Sequence, residues 1–173
     1  MKFPKAFVKG SRNINVIVET PKGSGNKYSF DPKTKLFKLS KILPNGIVFP
    51  HHFGFIPYTK GNDGDPLDVL VFLNDPAYPG CHIECRVIGI IEAEETEDGK
   101  AIRNDRIVAV ASESHHYNDV KNISDIDKFG IDELINFLVA YNKLSKKDFK
   151  PLKCRGPHTA IDLIKKQLTK TSK

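Results

Sequence analysis

The pattern of apolar and polar residues divides the chain into a long first part made of strands and a last third made of helices. Up to residue 111, short apolar or alternating stretches are separated by turns rich in Gly, Pro, Asn and Asp, a pattern typical of strands. Strands are predicted at residues 14–19, 27–31, 35–39, 69–72, 83–92 and 106–111. Residues 22–26 are small and flexible, so the first two strands are predicted to form a hairpin.

Two later features extend the predicted β-structure. Residues 83–92 are expected to pair with residues 106–111 across the acidic loop at residues 94–99. Residues 49–57 are aromatic but interrupted by Pro and Gly, which indicates an irregular segment that lines a core or a cleft. Short, closely spaced strands of this kind predict an antiparallel barrel or sandwich.

The apolar period changes to that of a helix in the last third of the chain. Apolar residues recur every three or four positions after Gly130, at Ile131, Leu134, Ile135, Leu138 and Tyr141. A second helix is predicted to begin at Gly156 and Pro157, because proline is well tolerated at the first helical position. Two C-terminal helices are therefore expected to accompany the strands.

Composition narrows the class of protein. The chain has 173 residues, of which 39% are hydrophobic and 28% are charged, so a single globular domain over residues 1–173 is expected. The sequence contains no run of 18 apolar residues and no signal peptide, so we expect a cytoplasmic protein that does not enter a membrane. Three cysteines are an odd number, which makes structural disulfides unexpected.

The net charge of +6 suits an anionic partner. Much of the excess lies in the chain ends and in residues 143–153, where solvated surface lysines are the ordinary explanation. The charge is therefore weak evidence for nucleic-acid binding.

Three carboxylates at Asp63, Asp65 and Asp68 precede the apolar strand at residues 69–72. Crowded carboxylates repel one another when they lose water, so this motif predicts a site for divalent metal ions. If the motif is considered alone, a solvated turn is the alternative interpretation. A calcium loop of the EF-hand type is excluded, because Asp68 would stand where Gly is required and Asn74 where Glu is required.

Other clusters of metal-binding residue types are less regular. Cys81, His82 and Cys85 have a spacing that suggests zinc, but no second cysteine pair follows, so buried thiols are the preferred interpretation. In each of the pairs His51–His52 and His115–His116, adjacent side chains on a strand point to opposite faces, so at most one of each pair would reach a given site.

With these motifs the chain resembles the soluble inorganic pyrophosphatases of the single-domain, magnesium-dependent type. The acidic motif followed by Val-Leu-Val is the specific part of the resemblance, which extends over residues 14–141. Further residues follow in the family's order: Glu19, Lys27, Tyr28, Phe53, Gly54, Phe55, Ile56, Pro79, Gly80, Arg86, Gly89, Arg106 and Tyr141.

The resemblance implies both a fold and a reaction. The implied fold is mainly β with α: a five-stranded, closed antiparallel barrel of the OB (oligonucleotide-binding) type, with hairpin excursions and the two C-terminal helices. The implied reaction is hydrolysis of inorganic pyrophosphate to two orthophosphates by a metal-activated water. Several Mg²⁺ ions are implied as cofactors, with Mn²⁺ or another divalent ion as the alternative, and the protein is expected to form a homo-oligomer.

The resemblance also assigns metal ligands. Asp63, Asp65 and Asp68 would hold Mg²⁺, and Asp65 is best placed to accept the proton of the attacking water. Glu19 is a further expected ligand. Outer ligands would come from the later hairpin, where we favour Glu95 over Glu97 or Asp98, and Asp105 over Asn104.

Four residues are implied to bind the phosphate oxygens: Lys27, Lys41, Arg106 and Tyr141. Two of them, Arg106 and Tyr141, are also expected to act in catalysis by stabilising the charge that moves onto those oxygens. In isolation, the two lysines would be interpreted as solvated hairpin residues and Tyr141 as a helix residue that packs on the sheet.

The chain departs from the family pattern at several of these positions. Lys41 stands where Arg is usual, and lysine lacks the two-pronged donor of arginine. The other departures are Phe49 and Phe53 for Tyr, Ser29 for Glu, Asn104 for Asp, and Asn142 for Lys with Lys143 as its replacement. These changes leave hydrolysis of another small phosphoanhydride, or an inactive phosphate-binding relative, as alternatives.

A nucleic-acid-binding barrel is the less favoured alternative. It would need aromatic residues on an open basic face, whereas here the aromatic segment adjoins an acidic cluster. Pyrophosphate is therefore the expected partner, and neither nucleic acid nor a membrane is expected.

Overall fold

The computed structural model describes residues 2–169. Its strands are β1 (Ile14–Thr20), β2 (Asn26–Asp31), β3 (Leu36–Ile42), β4 (His52–Phe55), β5 (Asp68–Phe72), β6 (His82–Glu97), β7 (Lys100–Arg103), β8 (Arg106–Ala111) and β9 (Asp148–Arg155). Its α-helices are α1 (Lys128–Lys143) and α2 (Pro157–Lys166), and a 3₁₀ turn at Ile123–Asp125 precedes α1. Each predicted strand overlaps an observed one, and the mainly β fold with two C-terminal helices is confirmed.

Five strands form a closed ring in the order β1, β4, β5, β8, β6, because β6 pairs again with β1. Four of the neighbouring pairs in this ring are antiparallel, but β5 and β8 are parallel. The expectation of an entirely antiparallel ring is therefore wrong at this pair. The reason is that β7 and β8 both pair antiparallel with β6. This pairing sets the direction of β8, which is then the same as that of β5.

The predicted hairpin between the first two strands is not formed. Strand β2 pairs with β3 in a separate two-stranded sheet, while both edges of β1 are taken by β4 and β6. A side-chain link remains, because the Thr20 hydroxyl accepts from the Tyr28 N–H and donates to the Tyr28 carbonyl. The β2–β3 hairpin therefore lies against the end of β1 without extending its sheet.

Strand β6 is longer than predicted and carries two strands beyond the ring. Its last residues pair with β7 across a turn at residues 98–99, so most of the predicted acidic loop is strand. On its other edge β6 pairs with β9, which was not predicted. Gly89 lies where β6 is crowded, since a Cβ added there would lie 2.6 Å from the Arg155 carbonyl oxygen.

The ring strands are apolar on both faces because each face packs against a helix. On β5, Val69 and Val71 lie in one core cluster and Leu70 and Phe72 in the other, as the two-residue period of a strand requires. Helix α2 contributes Ala160 and Ile164 to the first cluster, and helix α1 contributes Leu134 and Leu138 to the second. One face of the ring strands therefore shares its core with α2 and the other face with α1.

Helix α2 begins where the sequence predicts, whereas α1 begins at Lys128, earlier than the start after Gly130 that the apolar pattern indicates. The Asp127 carboxylate caps α1 by accepting from the Gly130 N–H at 2.8 Å, and α2 begins with Pro157 after Gly156. Among residues 2–169, no helix combines the length and the apolar character that a membrane span needs.

Candidate active site

The acidic motif folds into a tight turn, which we call the acidic turn (residues 61–65). Gly61 N–H donates to the Asp65 carbonyl at 2.7 Å, and Asp65 N–H donates to a carboxylate oxygen of Asp63 at 3.1 Å. Gly64 has φ +95°, a conformation that favours glycine. The turn leaves Asp63 and Asp65 exposed at the rim of the sheet.

Asp68 is the first residue of β5 and Arg106 is the first residue of β8. The two strands are parallel and pair Val69 with Ile107, so their first residues lie side by side. Arg106 Nη1 lies 3.1 Å from a carboxylate oxygen of Asp68. The parallel pair that departs from the predicted ring is thus what brings these two charges together.

The pKa of the Asp68 carboxyl is raised, first of all by burial. Arg106 and Lys27 lower it, while the neighbouring carboxylates of Asp63 and Asp65 raise it further. Asp68 is therefore subject to the charge of the two exposed carboxylates and to that of two cations.

Arg106 is almost fully buried and holds a second carboxylate. Its Nη2 lies 3.5 Å from Glu95, and its Nη1 donates to the side chain of Asn104. Asn104 in turn donates to Glu95 at 3.3 Å, and Phe149 lies beside the guanidinium. The buried Nε of Arg106 finds no acceptor within residues 2–169.

Lys147 also contacts Glu95, although it was not predicted from the sequence. Its ammonium lies 2.8 Å from the second oxygen of Glu95 and 3.0 Å from Glu97, and these hydrogen bonds raise the Lys147 pKa. In the sequence this residue is one of many lysines in residues 143–153. The pairing of β6 with β9, which was not predicted, is what brings it to Glu95.

Glu19 and Lys27 form a separate ion pair. One oxygen of Glu19 accepts from the Phe30 N–H at 2.7 Å and the other lies 3.6 Å from the Lys27 ammonium. The ammonium also lies 3.7 Å from the centre of the Phe53 ring. Burial lowers the Lys27 pKa, whereas Glu19 and Asp68 oppose this shift.

Lys41 lies opposite Lys27 in the β2–β3 hairpin. Its ammonium donates to the Ser145 hydroxyl and lies 5.3 Å from the centre of the Tyr141 ring. Lys41 thus reaches the site from the side of helix α1. Ser145 is a second contact that was not predicted.

Tyr141 packs its ring on Phe49 and Phe137, with ring centres 5.3 Å and 5.8 Å away. Burial raises the pKa of Tyr141 to about 12, so the phenol stays protonated and can donate. The charged groups that further shift this pKa are Asp68, Arg106, Glu95 and Glu19. Tyr141 therefore faces the same charges as the residues above.

Asp105 has different contacts. One of its oxygens accepts from the Ala93 N–H at 2.9 Å and from Arg103 Nε at 2.5 Å. The other has no hydrogen bond or ion pair in the described part of the chain. Asp105 lines a cleft together with Asp63 and Asn104, so a metal-binding role for it stays a prediction.

Within residues 2–169, no three His, Cys, Asp or Glu side chains converge closely enough to hold a metal ion. The carboxylate oxygens of Asp63, Asp65 and Asp68 nevertheless fit a divalent ion in their chemistry, and two of the three side chains are exposed. Glu19 and Glu95 fit less well, because both oxygens of each already accept from protein donors.

The other departures from the family pattern have ordinary packing roles. Asn142 is buried and donates to the Leu138 carbonyl at 2.8 Å, while Lys143, its expected replacement, is exposed. The Ser29 hydroxyl lies 3.1 Å from that of Ser40. The lysine that reaches the site in this part of the chain is Lys147.

The zinc alternative is not supported by the side chains. Cys81 is exposed and Cys85 is buried, and burial raises the pKa of the Cys85 thiol. His82 Nε2 is hydrogen-bonded to the Asn15 side chain at 2.7 Å. These residues therefore do not face one common site.

Comparisons with known proteins point to one family. Residues 16–172 match the family model described as inorganic pyrophosphatase. A protein named inorganic pyrophosphatase from Synechocystis is 40% identical over 78% of this chain and 77% of its own. Soluble inorganic pyrophosphatase 5 from Arabidopsis thaliana is 34% identical over 87% of this chain and 68% of its own. The crystal structure of inorganic pyrophosphatase from Thermus thermophilus has a TM-score of 0.85, 30% identity and coverage of 94% of this chain and 92% of its own.

Proposed function

This chain belongs to the inorganic pyrophosphatase family, and we propose that it hydrolyses pyrophosphate at the acidic turn and the charged residues beside it. It is an enzyme whose reaction yields two orthophosphates. The observation that carries the assignment of the site is the contact between Asp68 and Arg106. At this point carboxylates suited to divalent metal ions meet buried cations suited to phosphate.

Pyrophosphate needs such a site because its negative charge repels an attacking nucleophile. Lys27, Arg106 and Lys41 supply positive charge, and Tyr141 supplies a neutral hydrogen-bond donor. Lys27 and Arg106 are buried, which strengthens their attraction for a phosphate oxygen relative to a solvated side chain. These four residues bind and orient the substrate in the mechanism that we propose.

The metal ions in this mechanism are Mg²⁺, with Mn²⁺ as the alternative, held by Asp63, Asp65 and Asp68. Oxygen donors of this kind suit hard divalent ions. When bound, such ions shield the charge of the phosphate and lower the pKa of a water molecule to near neutrality. Asp105 lines the same cleft as Asp63 and Asp68, has one oxygen without a hydrogen bond in the described residues, and is proposed as a further ligand.

Asp65 is the residue we assign to accept a proton from the attacking water. The Asp63 carboxylate accepts from the backbone of the turn, and the Asp68 carboxylate is paired with Arg106. In the described chain the Asp65 carboxylate makes no hydrogen bond or ion pair. It is therefore the member of the three with both oxygens available to water.

The test of the reaction is phosphate release by the purified protein from pyrophosphate and, separately, from ATP. We expect release from pyrophosphate that requires Mg²⁺, stops with a chelator and greatly exceeds release from ATP. Equal or faster release from ATP would favour the alternative of another phosphoanhydride. Absence of Mg²⁺-dependent release from pyrophosphate would refute the assignment.

We further propose that the protein acts in the cytoplasm as a homo-oligomer. The named relatives include a soluble plant enzyme, which supports the first part. Three apolar side chains of β3, Leu36, Leu39 and Ile42, are exposed, and contact with a second copy would cover apolar area there. Light scattering tests the oligomer, since one chain has a mass of 19.4 kDa. Cell fractionation tests the compartment.

A further inference from the structure

Two cations share the carboxylate of Glu95, one on each oxygen. Lys147 Nζ lies 2.8 Å from Oε1, and Arg106 Nη2 lies 3.5 Å from Oε2. We propose that Lys147 is a substrate-binding residue and that Glu95 holds Lys147 and Arg106 as a pair of cations for one phosphate group, instead of binding a metal ion. This proposal rests on the proposed function and adds a residue to the same site.

The first argument is that both oxygens of Glu95 already face cations of the chain. Its Oε2 also accepts from the Asn104 amide at 3.3 Å, so three donors surround one carboxylate. A divalent ion at Glu95 would have to displace the Lys147 ammonium and lie close to the Arg106 guanidinium. Such an arrangement is opposed by charge repulsion, which is strong beside a buried group.

The second argument is the charge of the neighbourhood. Asn104 occupies a position that a metal-binding carboxylate would fill, but it is neutral and donates to Glu95. Within the described residues the carboxylates that contact Arg106 or Lys147 are Glu95, Asp68 and the more exposed Glu97. Because Asp68 is also one of the residues that would hold a divalent metal ion, Glu95 is the buried carboxylate that would remain for both cations, which favours an anion such as phosphate beside them.

The third argument concerns the unused donor capacity of the two cations. Arg106 Nε is buried and finds no acceptor among residues 2–169. Lys147 retains about 30% of its side-chain exposure, so its ammonium can contact a ligand without leaving Glu95. Lysine has three donors and its two carboxylate contacts use two of them.

The turn between α1 and β9 (residues 144–147) fixes the position of Lys147. Lys147 N–H donates to the Asn142 carbonyl at 3.1 Å, and the Asn142 side chain is tied to helix α1. The same turn carries Ser145, which binds Lys41. This turn therefore contacts Lys41 on the β2–β3 hairpin and also places Lys147 beside Glu95 of β6. Such contacts suit a segment that helps to enclose a ligand.

The proposal is tested by measuring how tightly the protein binds imidodiphosphate, a pyrophosphate analogue with a P–N–P bridge, in the presence of Mg²⁺. Lys147→Gln should weaken this binding and raise KM for pyrophosphate by about 10- to 100-fold, the range for one charged hydrogen bond. Lys147→Arg should restore part of the loss, because the charge is kept. Lys143→Gln, on the exposed end of α1, is the matched control and should change neither value.

A second measurement counts the Mn²⁺ ions that the free protein binds, by electron paramagnetic resonance. Glu95→Gln and Lys147→Gln should bind the same number as the wild type, whereas Asp65→Asn should show weaker binding. If Glu95→Gln loses one Mn²⁺ ion, or if Lys147→Gln binds the analogue as well as the wild type, the proposal is overturned. Thermal unfolding identifies any variant that fails to fold, in which case Lys147→Met serves as the second variant.

These outcomes are separate from failure of the proposed function. Analogue binding and the Mn²⁺ count do not depend on turnover, so they remain informative even if wild-type protein releases no phosphate from pyrophosphate. Loss of hydrolysis in the wild type with tight analogue binding would refute the reaction but not the role of Lys147.

Discussion

Asp65→Asn should have opposite effects on stability with and without Mg²⁺, besides stopping the reaction. The side chain is exposed and unpaired within the described residues, so the substitution removes no contact that holds the fold. Without metal, it removes a negative charge beside Asp63 and Asp68, which should stabilise the fold by no more than about 1 kcal/mol. In chelator the variant should therefore melt at the wild-type temperature or slightly above it.

With Mg²⁺ the order should reverse. A ligand present at about 100 times its Kd stabilises a folded protein by about 2.7 kcal/mol. For a chain of this size each kcal/mol corresponds to roughly 2–4 °C, so the wild type should gain about 5–10 °C. If loss of Asp65 weakens metal binding about 100-fold, the gain at the same Mg²⁺ concentration falls to about 0.4 kcal/mol, or roughly 1–2 °C.

The assay is thermal unfolding in chelator and in Mg²⁺, together with phosphate release under the same conditions. Loss of the proton acceptor should lower kcat by at least about 100-fold. Asp75→Asn is the control, because Asp75 is also exposed and makes no ion pair within residues 2–169. Wild-type turnover in Asp65→Asn, or a Mg²⁺-induced shift as large as that of the wild type, would refute the role of Asp65.

Three further substitutions test other parts of the structure. Gly89→Ala should cost about 3 kcal/mol or more in the free energy of unfolding, because its Cβ would lie 2.6 Å from the Arg155 carbonyl oxygen, and urea unfolding measures this. The partly buried His51 has its pKa lowered from 6.5 to about 4, mainly by burial, so the unfolded chain binds the proton more tightly. Stability should fall as pH decreases from 6.5 to 4, by at most about 3 kcal/mol from this group, and His51→Gln should flatten that part of the curve. Tyr141→Phe should lower kcat/KM about 10- to 100-fold with little change in melting temperature, since the ring keeps its packing.

Each of these substitutions has a matched control. Gly25→Ala should leave stability nearly unchanged, because the closest atom to its Cβ would lie at 3.7 Å. His158→Gln, on the exposed side of α2, should leave the pH curve as it is, and Tyr78→Phe, at an exposed tyrosine, should leave activity as it is. If a substitution and its control change the measured stability or activity equally, the physical reason given for that substitution is wrong.

Local patterns predict those elements that bury apolar side chains. Strand β5 and helix α1 are examples, because the period of their apolar residues matches the face that they pack. Strand β9 escapes prediction for the opposite reason. It fully buries only Phe149, contains Pro151, and is held mainly by its pairing with β6, so its strand character depends on distant residues.

The same distinction applies to the candidate site. Asp63, Asp65 and Asp68 lie close together in the sequence and form a recognisable motif, so they could be predicted together. The pairing of Lys147 with Glu95 joins residues far apart in the sequence and depends on the β6–β9 ladder. Nothing in the local sequence around Lys147 distinguishes it from the neighbouring surface lysines.

The carboxylates of the site therefore fall into two groups that differ in what neutralises them. Glu19 and Glu95 lie on strands and are paired with cations of the chain, although burial still raises the pKa of the Glu19 carboxyl. Asp63 and Asp65 lie in an exposed turn, where water solvates them until a metal ion does. Asp68 connects the groups, because it contacts Arg106 and is affected by both exposed carboxylates. Asp68 is therefore the residue through which the proposed metal site directly contacts the proposed phosphate-binding Arg106, at 3.1 Å between its carboxylate oxygen and Nη1.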